Sequence, residues 1–227
     1  DSGRSLRGGQ WQALELMEGL NRRGHRGRLL ARRGSTLEVE AARRGLEVRS
    51  LTISALVKEV RSADLIHCHD ARTHTWAAVA GLHPLVVARR VAFPVKKSLL
   101  SKWKYARADH YIAVSRYVAS QLKEAGIPED RISVVYDGFR LRSATDQSGP
   151  AGDRIVSPAS DDPRKGTGLA REAAAGFDLH FSTNLEEDLS RARVFLYLTE
   201  EEGLGSACLL AMAMGVPVIA SRVGGLP

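Results

Sequence analysis

The chain has 227 residues, 44% hydrophobic, 26% charged and 6% aromatic. That is the composition of an ordinary water-soluble globular protein of one large or two small domains, which excludes collagen-like and disordered classes. The net charge of +7 is uneven: residues 1–140 carry 25 Lys/Arg against 14 Asp/Glu, a balance of +11, and residues 141–227 carry 8 against 12, a balance of −4.

Apolar runs break within about 10 residues, too short for a membrane helix of ~20. No charged-then-apolar leader opens the chain, so a cytoplasmic location is expected. Cys68 and Cys208 are single and far apart, which argues against a disulfide framework or a cysteine metal site; both read as buried free thiols. The charge asymmetry points to two halves meeting different partners. A basic first half suits anionic lipid, an anionic acceptor or nucleic acid, while its scattered arginines fit solvated helix faces equally well.

Residues 1–10 read as a polar, glycine-rich loop. Trp11 to Arg23 follows as a helix, with Trp11, Leu14, Met17 and Leu20 at helical spacing and Gly24 at the C-cap. In a parallel α/β domain such a loop follows a strand. That strand is expected to be missing from the start of the chain or to lie elsewhere in the sheet.

From there strands and helices alternate. Strands are predicted at 28–31, 46–51, 64–69, 85–88, 110–114 and 132–136; helices at 36–44, 55–62, 73–81, 97–107 and 116–126. Residues 140–153 are polar and rich in turn formers, and read as an interdomain linker. A second series follows: strand 154–157, helix 168–175, strand 178–181 and helix 185–192, capped by Asn184 with Glu186, Glu187 and Asp188 in its first turn. This alternation makes the chain α/β, with doubly wound sheets in two domains, 1–139 and 154–227.

The last stretch is the most informative. Val194 to Leu198 reads as a buried strand, followed by the turn Thr199-Glu-Glu-Glu-Gly-Leu-Gly205, a small-residue helix to Met214 and a second buried strand. Two apolar strands joined by a helix within about 30 residues form a βαβ unit of a parallel sheet. The turn therefore lies at the C-terminal end of its strand, where open α/β sheets bind ligands. Gly203 and Gly205 allow close backbone approach, and the helix start at Ser206 favours an anion such as phosphate.

Taken together, these features resemble the GT-B glycosyltransferases, and within them the large retaining family 4. The matching segments, in family order, are Arg7-Gly-Gly-Gln10, Arg23-Gly-His25, Ala108-Asp-His-Tyr-Ile-Ala-Val-Ser115 and Gly126-Ile-Pro-Glu-Asp-Arg-Ile-Ser-Val-Val-Tyr-Asp-Gly138, then Lys165-Gly166 and Glu202-Gly-Leu-Gly205 through Gly224-Gly-Leu-Pro227. The resemblance implies two Rossmann-like domains about a cleft: 1–139 on the acceptor side and 154–227 binding the nucleotide sugar. It also implies an incomplete chain, lacking the first strand and the C-terminal helix.

The implied activity is hexosyl transfer, with retention and without a metal, from a UDP- or GDP-linked sugar to a cell-envelope glycan or lipid-linked acceptor. No cofactor and no nucleic-acid partner are implied. Gly8 and Gly9 would approach the donor phosphates and the acceptor. Lys165 would neutralise the diphosphate, and Glu202 would contact the donor-sugar hydroxyls. The backbone of Gly203, Leu204, Gly205 and Ser206 would hold the leaving diphosphate, which amounts to stabilising a departing anion.

The sequence departs from the family pattern at several places. Leu210 occupies the position of the second motif glutamate, usually a ribose contact. Ser160 stands where the family places an arginine, and the histidine after the fifth strand falls near Val91, beside Arg89 and Arg90. Asp137-Gly138 replaces Asn-Gly, and the second domain is one strand–helix unit short.

Other residues admit more than one reading. His69, at the end of a predicted strand, reads as a catalytic candidate lining the cleft with Asp70, whereas His67, His69 and His74 together lack the further ligands a metal site needs. Glu200 and Glu201 read as surface. Lys165 at a helix start opposes the dipole unless an anion is bound. Lys96, Lys97, Lys102 and Lys104 with Trp103 and Tyr105 read as an amphipathic surface helix or as a contact with anionic membrane headgroups on the inner face of the plasma membrane.

Two alternatives stand beside the transferase. One is an NAD(P)-dependent oxidoreductase, since Gly203-x-Gly205 followed by Ser221-Arg222 imitates a dinucleotide fingerprint, with Cys208 in place of its third glycine. The other is a non-catalytic sugar-nucleotide-binding remnant.

Overall fold

The computed structural model describes residues 1–4, 8–139 and 152–227. Most of the expected linker, 140–153, lies outside the described residues, as does Arg7. By contacts the chain divides into two compact units, Asp1–Arg90 with Pro94–Val135, and Val91–Phe93 with Tyr136–Pro227.

In the first unit strands and helices alternate as α1 (Gly8–Arg22), β1 (Leu29–Ala31), α2 (Thr36–Arg43), β2 (Val48–Ser50), α3 (Ile53–Val60), β3 (Ile66–Cys68), α4 (Ala71–Val79), β4 (Leu85–Arg89), α5 (Leu99–Ala106), β5 (His110–Ala113), α6 (Arg116–Glu124) and β6 (Ile132–Val134). β1 pairs with β2, and β3-β4-β5-β6 form a four-stranded sheet. Every ladder is parallel.

Local chemistry sets the helix starts. Ser35, Thr52, Asp70, Ser98 and Ser115 each accept a hydrogen bond from an amide of the helix they precede. Such caps satisfy donors that would otherwise lack partners. α1 begins three residues before the sequence pattern predicts, because Gly8 and Gly9 carry no apolar side chain to mark the face that starts at Trp11. Leu14 and Met17 of α1 pack with Leu29, Ala31, Leu37, Ala41 and Leu46. Arg44 ties α1 to α2 through Glu15 at 2.8 Å, Glu18 at 3.0 Å and Glu40 at 2.8 Å.

The second unit contains β7 (Arg154–Pro158), α7 (Thr167–Ala173), β8 (Leu179–Ser182), α8 (Leu185–Leu189), β9 (Ala192–Tyr197), α9 (Ser206–Ala213) and β10 (Val218–Ala220). Its sheet runs β10-β9-β7-β8, again all parallel. Successive residues of a strand face opposite sides, and Phe195, Leu196 and Tyr197 are all buried. Phe195 and Tyr197 join Val156, Leu189, Cys208, Ala211 and Val216 on one side. Leu196 joins Ala170 and Ala174 on the other. The sheet is therefore covered on both faces at β9, as in a doubly wound parallel sheet, whereas β10, expected as a buried strand, lies at the sheet edge with Ile219 and Ala220 exposed. Both cysteines are buried and free, as their isolation in the sequence suggested.

Leu122 on α6 is fully buried, and α6 packs on β5 and β6. Leu122→Ala should lower unfolding stability by about 2–5 kcal/mol, read as an earlier urea midpoint with an unchanged slope.

Candidate active site

Three segments of the second unit converge around one carboxylate. β9 ends at Tyr197, whose hydroxyl donates a hydrogen bond to Glu202 Oε2. Asp162 caps the turn Pro163–Lys165, and Lys165 Nζ from that turn donates to the same oxygen at 3.0 Å. The amide of Gly203 donates to Oε1 at 2.9 Å. Burial pushes the Glu202 carboxyl up. Tyr197, the Lys165 ammonium and the Gly203 N–H outweigh it and hold the group below the usual carboxylate range. Burial and the adjacent carboxylate push the Tyr197 phenol up, so it stays a donor at neutral pH.

Glycine permits this convergence at two points. Gly166 has φ +71°, and a Cβ on it would stand 1.6 Å from the carbonyl oxygen of Leu198. A Cβ on Gly224 (φ +53°) would stand 2.1 Å from the carbonyl oxygen of Glu202, which also accepts from the amide of Gly225 at 2.9 Å. Both loops thus approach the turn at backbone distance. α9 begins immediately after it, with Gly205 in the left-handed region and no side chain capping the first amides. An uncapped helix start of this kind attracts an anion.

Lys165 and Glu202, 37 residues apart in sequence, are thus direct partners. Gly203 is buried and its amide already engaged, while Leu204 and Ser206 are half-buried around buried Gly205. The cation of Lys165 is explained without an anion, by its pairing with Glu202. Glu201 stands 4.0 Å from Arg164, and Glu200 is exposed. Leu210 packs against the Phe195 cluster; it is a core contact, which accounts for an apolar residue at that position. Ser160 accepts from the amide of Asp162.

Gly8, Gly9 and His69 belong to the first unit. Gly8 and Gly9 form the opening turn of α1 rather than a loop. A Cβ on Gly9 would meet Arg90 Cδ at an ordinary 3.6 Å. Arg90, just past β4, donates to His69 Nδ1 at 3.1 Å, leaving the ring proton on Nε2. Burial, then His67 and Arg90, push His69 well below the usual imidazole value. It is therefore a neutral hydrogen-bonding group at neutral pH and not an imidazolium acid.

Asp70 is used structurally, capping α4 and accepting from the amide of Ser2 at 2.7 Å. His74 is buried edge-on against Tyr105 and Tyr111. Among the described residues no group of three or more His, Cys, Asp or Glu side chains is arranged to hold a metal ion. Tyr197, in the second unit, is a site residue to which the sequence motifs did not point. A tyrosine on a buried strand reads as core, whereas Arg90, in the first unit, stands beside the position of the family's histidine in the sequence.

Two measurements test this geometry. Gly166→Ala should destabilise the protein by at least about 1–3 kcal/mol, from strained φ and the Leu198 clash. The folded pKa of Glu202 lies below the ordinary glutamate value, so its stabilising contribution is complete above that ordinary value and disappears as pH falls through the folded one. Wild type should therefore exceed Glu202→Gln in stability at neutral pH, and the gap should close in acid titration.

Residues 6–142 match the model of glycosyltransferase family 4, and residues 159–227 match that of the glycosyl transferases group 1. No individually curated protein matches the sequence significantly. The structure of Anabaena Alr3699/HepE, in complex with UDP and glucose, is similar at a TM-score of 0.79 and 14% identity, over 99% of this chain and 80% of that one. The lipopolysaccharide outer core galactosyltransferase WaaB superposes at 0.64 with 15% identity, over 100% and 80%. WaaG, a glycosyltransferase involved in lipopolysaccharide biosynthesis, superposes at 0.61 with 12% identity, over 99% and 81%. With more than half of its length matched by the family model and a fold shared with these enzymes, the chain belongs to glycosyltransferase family 4, the retaining nucleotide-sugar transferases of GT-B fold.

Proposed function

We propose that this transferase moves a hexosyl unit from a nucleotide sugar, UDP-linked in the first instance, to a cell-envelope glycan or lipid-linked acceptor, with retention and without a metal. The observation that carries the donor half is the pairing of Lys165 with Glu202 beside the uncapped start of α9. A cation and a run of helix amides suit a diphosphate; a half-buried, ionised carboxylate suits sugar hydroxyls. The complex of Anabaena HepE with UDP-glucose favours UDP as the first donor to test.

In this reading Lys165 and the backbone from Gly203 to Ser206 stabilise charge on the departing diphosphate. Glu202 orients the donor sugar. Gly8, Gly9 and neutral His69, the last through Nε2–H, contribute from the first unit. The dinucleotide oxidoreductase reading is overturned by the family match. The test is nucleoside diphosphate release across a panel of donors and acceptors. Release is expected with a nucleotide hexose, reduced about 100-fold or more in Glu202→Ala. Donor binding without release would support a binding remnant instead.

The acceptor half rests on α5. No residue of α5 is buried; Leu99 is 85% exposed, Leu100 79% and Trp103 40%. At 100° per residue Leu99, Leu100 and Trp103 share one face, with Lys102 and Lys104 on either flank. No acidic residue lies between Asp70 and Asp109. An exposed apolar strip with cationic borders suits an anionic bilayer surface and an acceptor held in it, which would place the enzyme on the inner face of the plasma membrane. No helix among the described residues is long and apolar enough to cross a membrane.

Vesicle co-sedimentation tests this part. Wild type should pellet with phosphatidylcholine vesicles containing phosphatidylglycerol, less so as salt rises, and Leu99→Ser/Leu100→Ser should bind about tenfold more weakly. Equal binding to pure phosphatidylcholine, or an unaffected variant, overturns it.

A further inference from the structure

Lys165 and Glu202 share one carboxylate oxygen, and the donor roles proposed for them pull in different directions. A lysine that turns to a diphosphate weakens its hold on Glu202. A half-buried carboxylate that loses its cation is left with part of its hydrogen-bonding capacity unfilled. Something else must keep Glu202 ionised and aimed while the donor is bound.

Tyr197 meets that requirement. Its hydroxyl donates to Glu202 Oε2, the atom that Lys165 also reaches at 3.0 Å. Lys165 Nζ in turn lies 3.4 Å from the Tyr197 oxygen, to which it donates, and 5.9 Å from the ring centroid. The ring is fixed independently of any ligand. It belongs to the main core cluster of the unit and stacks on Phe195 at 5.9 Å between centroids. Its backbone is locked in the ladder with β10, where Tyr197 pairs with Ala220. Lys165 ends a long flexible side chain, whereas Tyr197 has a rigid ring and a buried seat. Of the two partners of Oε2, the lysine is the one that can move.

We infer that Tyr197 is a positioning residue for the donor sugar: it retains Glu202 when Lys165 is drawn to the donor diphosphate. The inference rests on the proposed donor roles of Lys165 and Glu202. In the free protein the three side chains close on one another. With donor bound, Lys165 serves the phosphates and the Tyr197 hydroxyl becomes the principal side-chain partner of the carboxylate. Binding of the nucleoside diphosphate alone therefore does not depend on Tyr197, and binding of the sugar attached to it does.

Calorimetric titration separates these contributions. UDP, GDP and their glucose and mannose conjugates are titrated into the full chain, and the pair that binds wild type is carried to the variants. Tyr197→Phe keeps the ring and removes only the hydroxyl, so its fold should persist, checked by an unchanged affinity for the nucleoside diphosphate. Its affinity for the nucleotide sugar should fall by about tenfold or more, the effect of losing a hydrogen bond to a charged group. Lys165→Ala should weaken both ligands. In a Glu202→Gln background Tyr197→Phe should add little, since its partner charge is already gone. Steady-state kinetics should show the same split, as a raised donor KM.

Equal loss of nucleoside diphosphate and nucleotide sugar in Tyr197→Phe, or no loss of either, overturns the role of Tyr197 while leaving the donor site standing. Failure of wild type to bind either nucleoside diphosphate overturns the donor-site reading and this inference with it.

Discussion

The second unit is organised by the need to keep one half-buried carboxylate partnered. Glu202 takes hydrogen bonds from Tyr197 at the end of a strand, from Lys165 in a turn 37 residues earlier and from the amide that follows it. A half-buried charge is costly to leave without its partner, and these hydrogen bonds tie the three loops together. The close backbone contacts follow from that. The Gly166 turn lies against Leu198 and the Gly224 turn lies against the carbonyl of Glu202, at separations no Cβ would fit. The parallel sheet beneath supplies the other half of the constraint. It ends β7 and β9 side by side, so the loops that leave them start as neighbours, where open α/β sheets hold their ligands.

Most of this fold was legible in the sequence because the signals are local. Strand and helix periodicities alternate, and glycines or cap residues mark the changes. Differences arise where a residue serves two patterns. Ala192 continues a helical run by composition, yet α8 stops at Leu189 and Ala192 opens β9; a small apolar residue carries no preference strong enough to decide. Gly8 and Gly9 read as loop from poor helix propensity, but a helix can open on residues whose amides have no partner within it in any case.

The site was legible in a different way. Lys165 and Glu202 came from ordered resemblance to a family, and nothing in their spacing predicts that they touch. Tyr197 was hidden by its own burial, since on an apolar strand a tyrosine looks like any aromatic core residue. What distinguishes it is a single hydroxyl aimed at a carboxylate, and direction is not written in composition. Leu210 shows the converse. A motif position carried over by alignment turns out to pack with the core, so family pattern and local packing give different answers at one residue.

Net charge is a weaker guide than where charge is neutralised. Several arginines of the first unit are engaged internally: Arg28 bridges Glu47 and Glu59, Arg44 holds three glutamates, and Arg90 serves His69. The acid-free stretch from Ala71 to Ala108 is where positive charge has few local counterparts, and it contains the exposed helix α5. The second half presents the opposite case, a balance of −4 and three successive glutamates at a turn proposed to receive a diphosphate. Of these, Glu202 is paired with Lys165 and Glu201 stands near Arg164. Glu200 is exposed to water, where salt screens it within about 8–10 Å. In the proposed donor site an arriving anion would therefore meet Lys165, held by Glu202, and the uncapped start of α9. The sign of a site is set by the groups that face it, so an acidic unit can present a cationic and amide-lined surface to an anionic ligand.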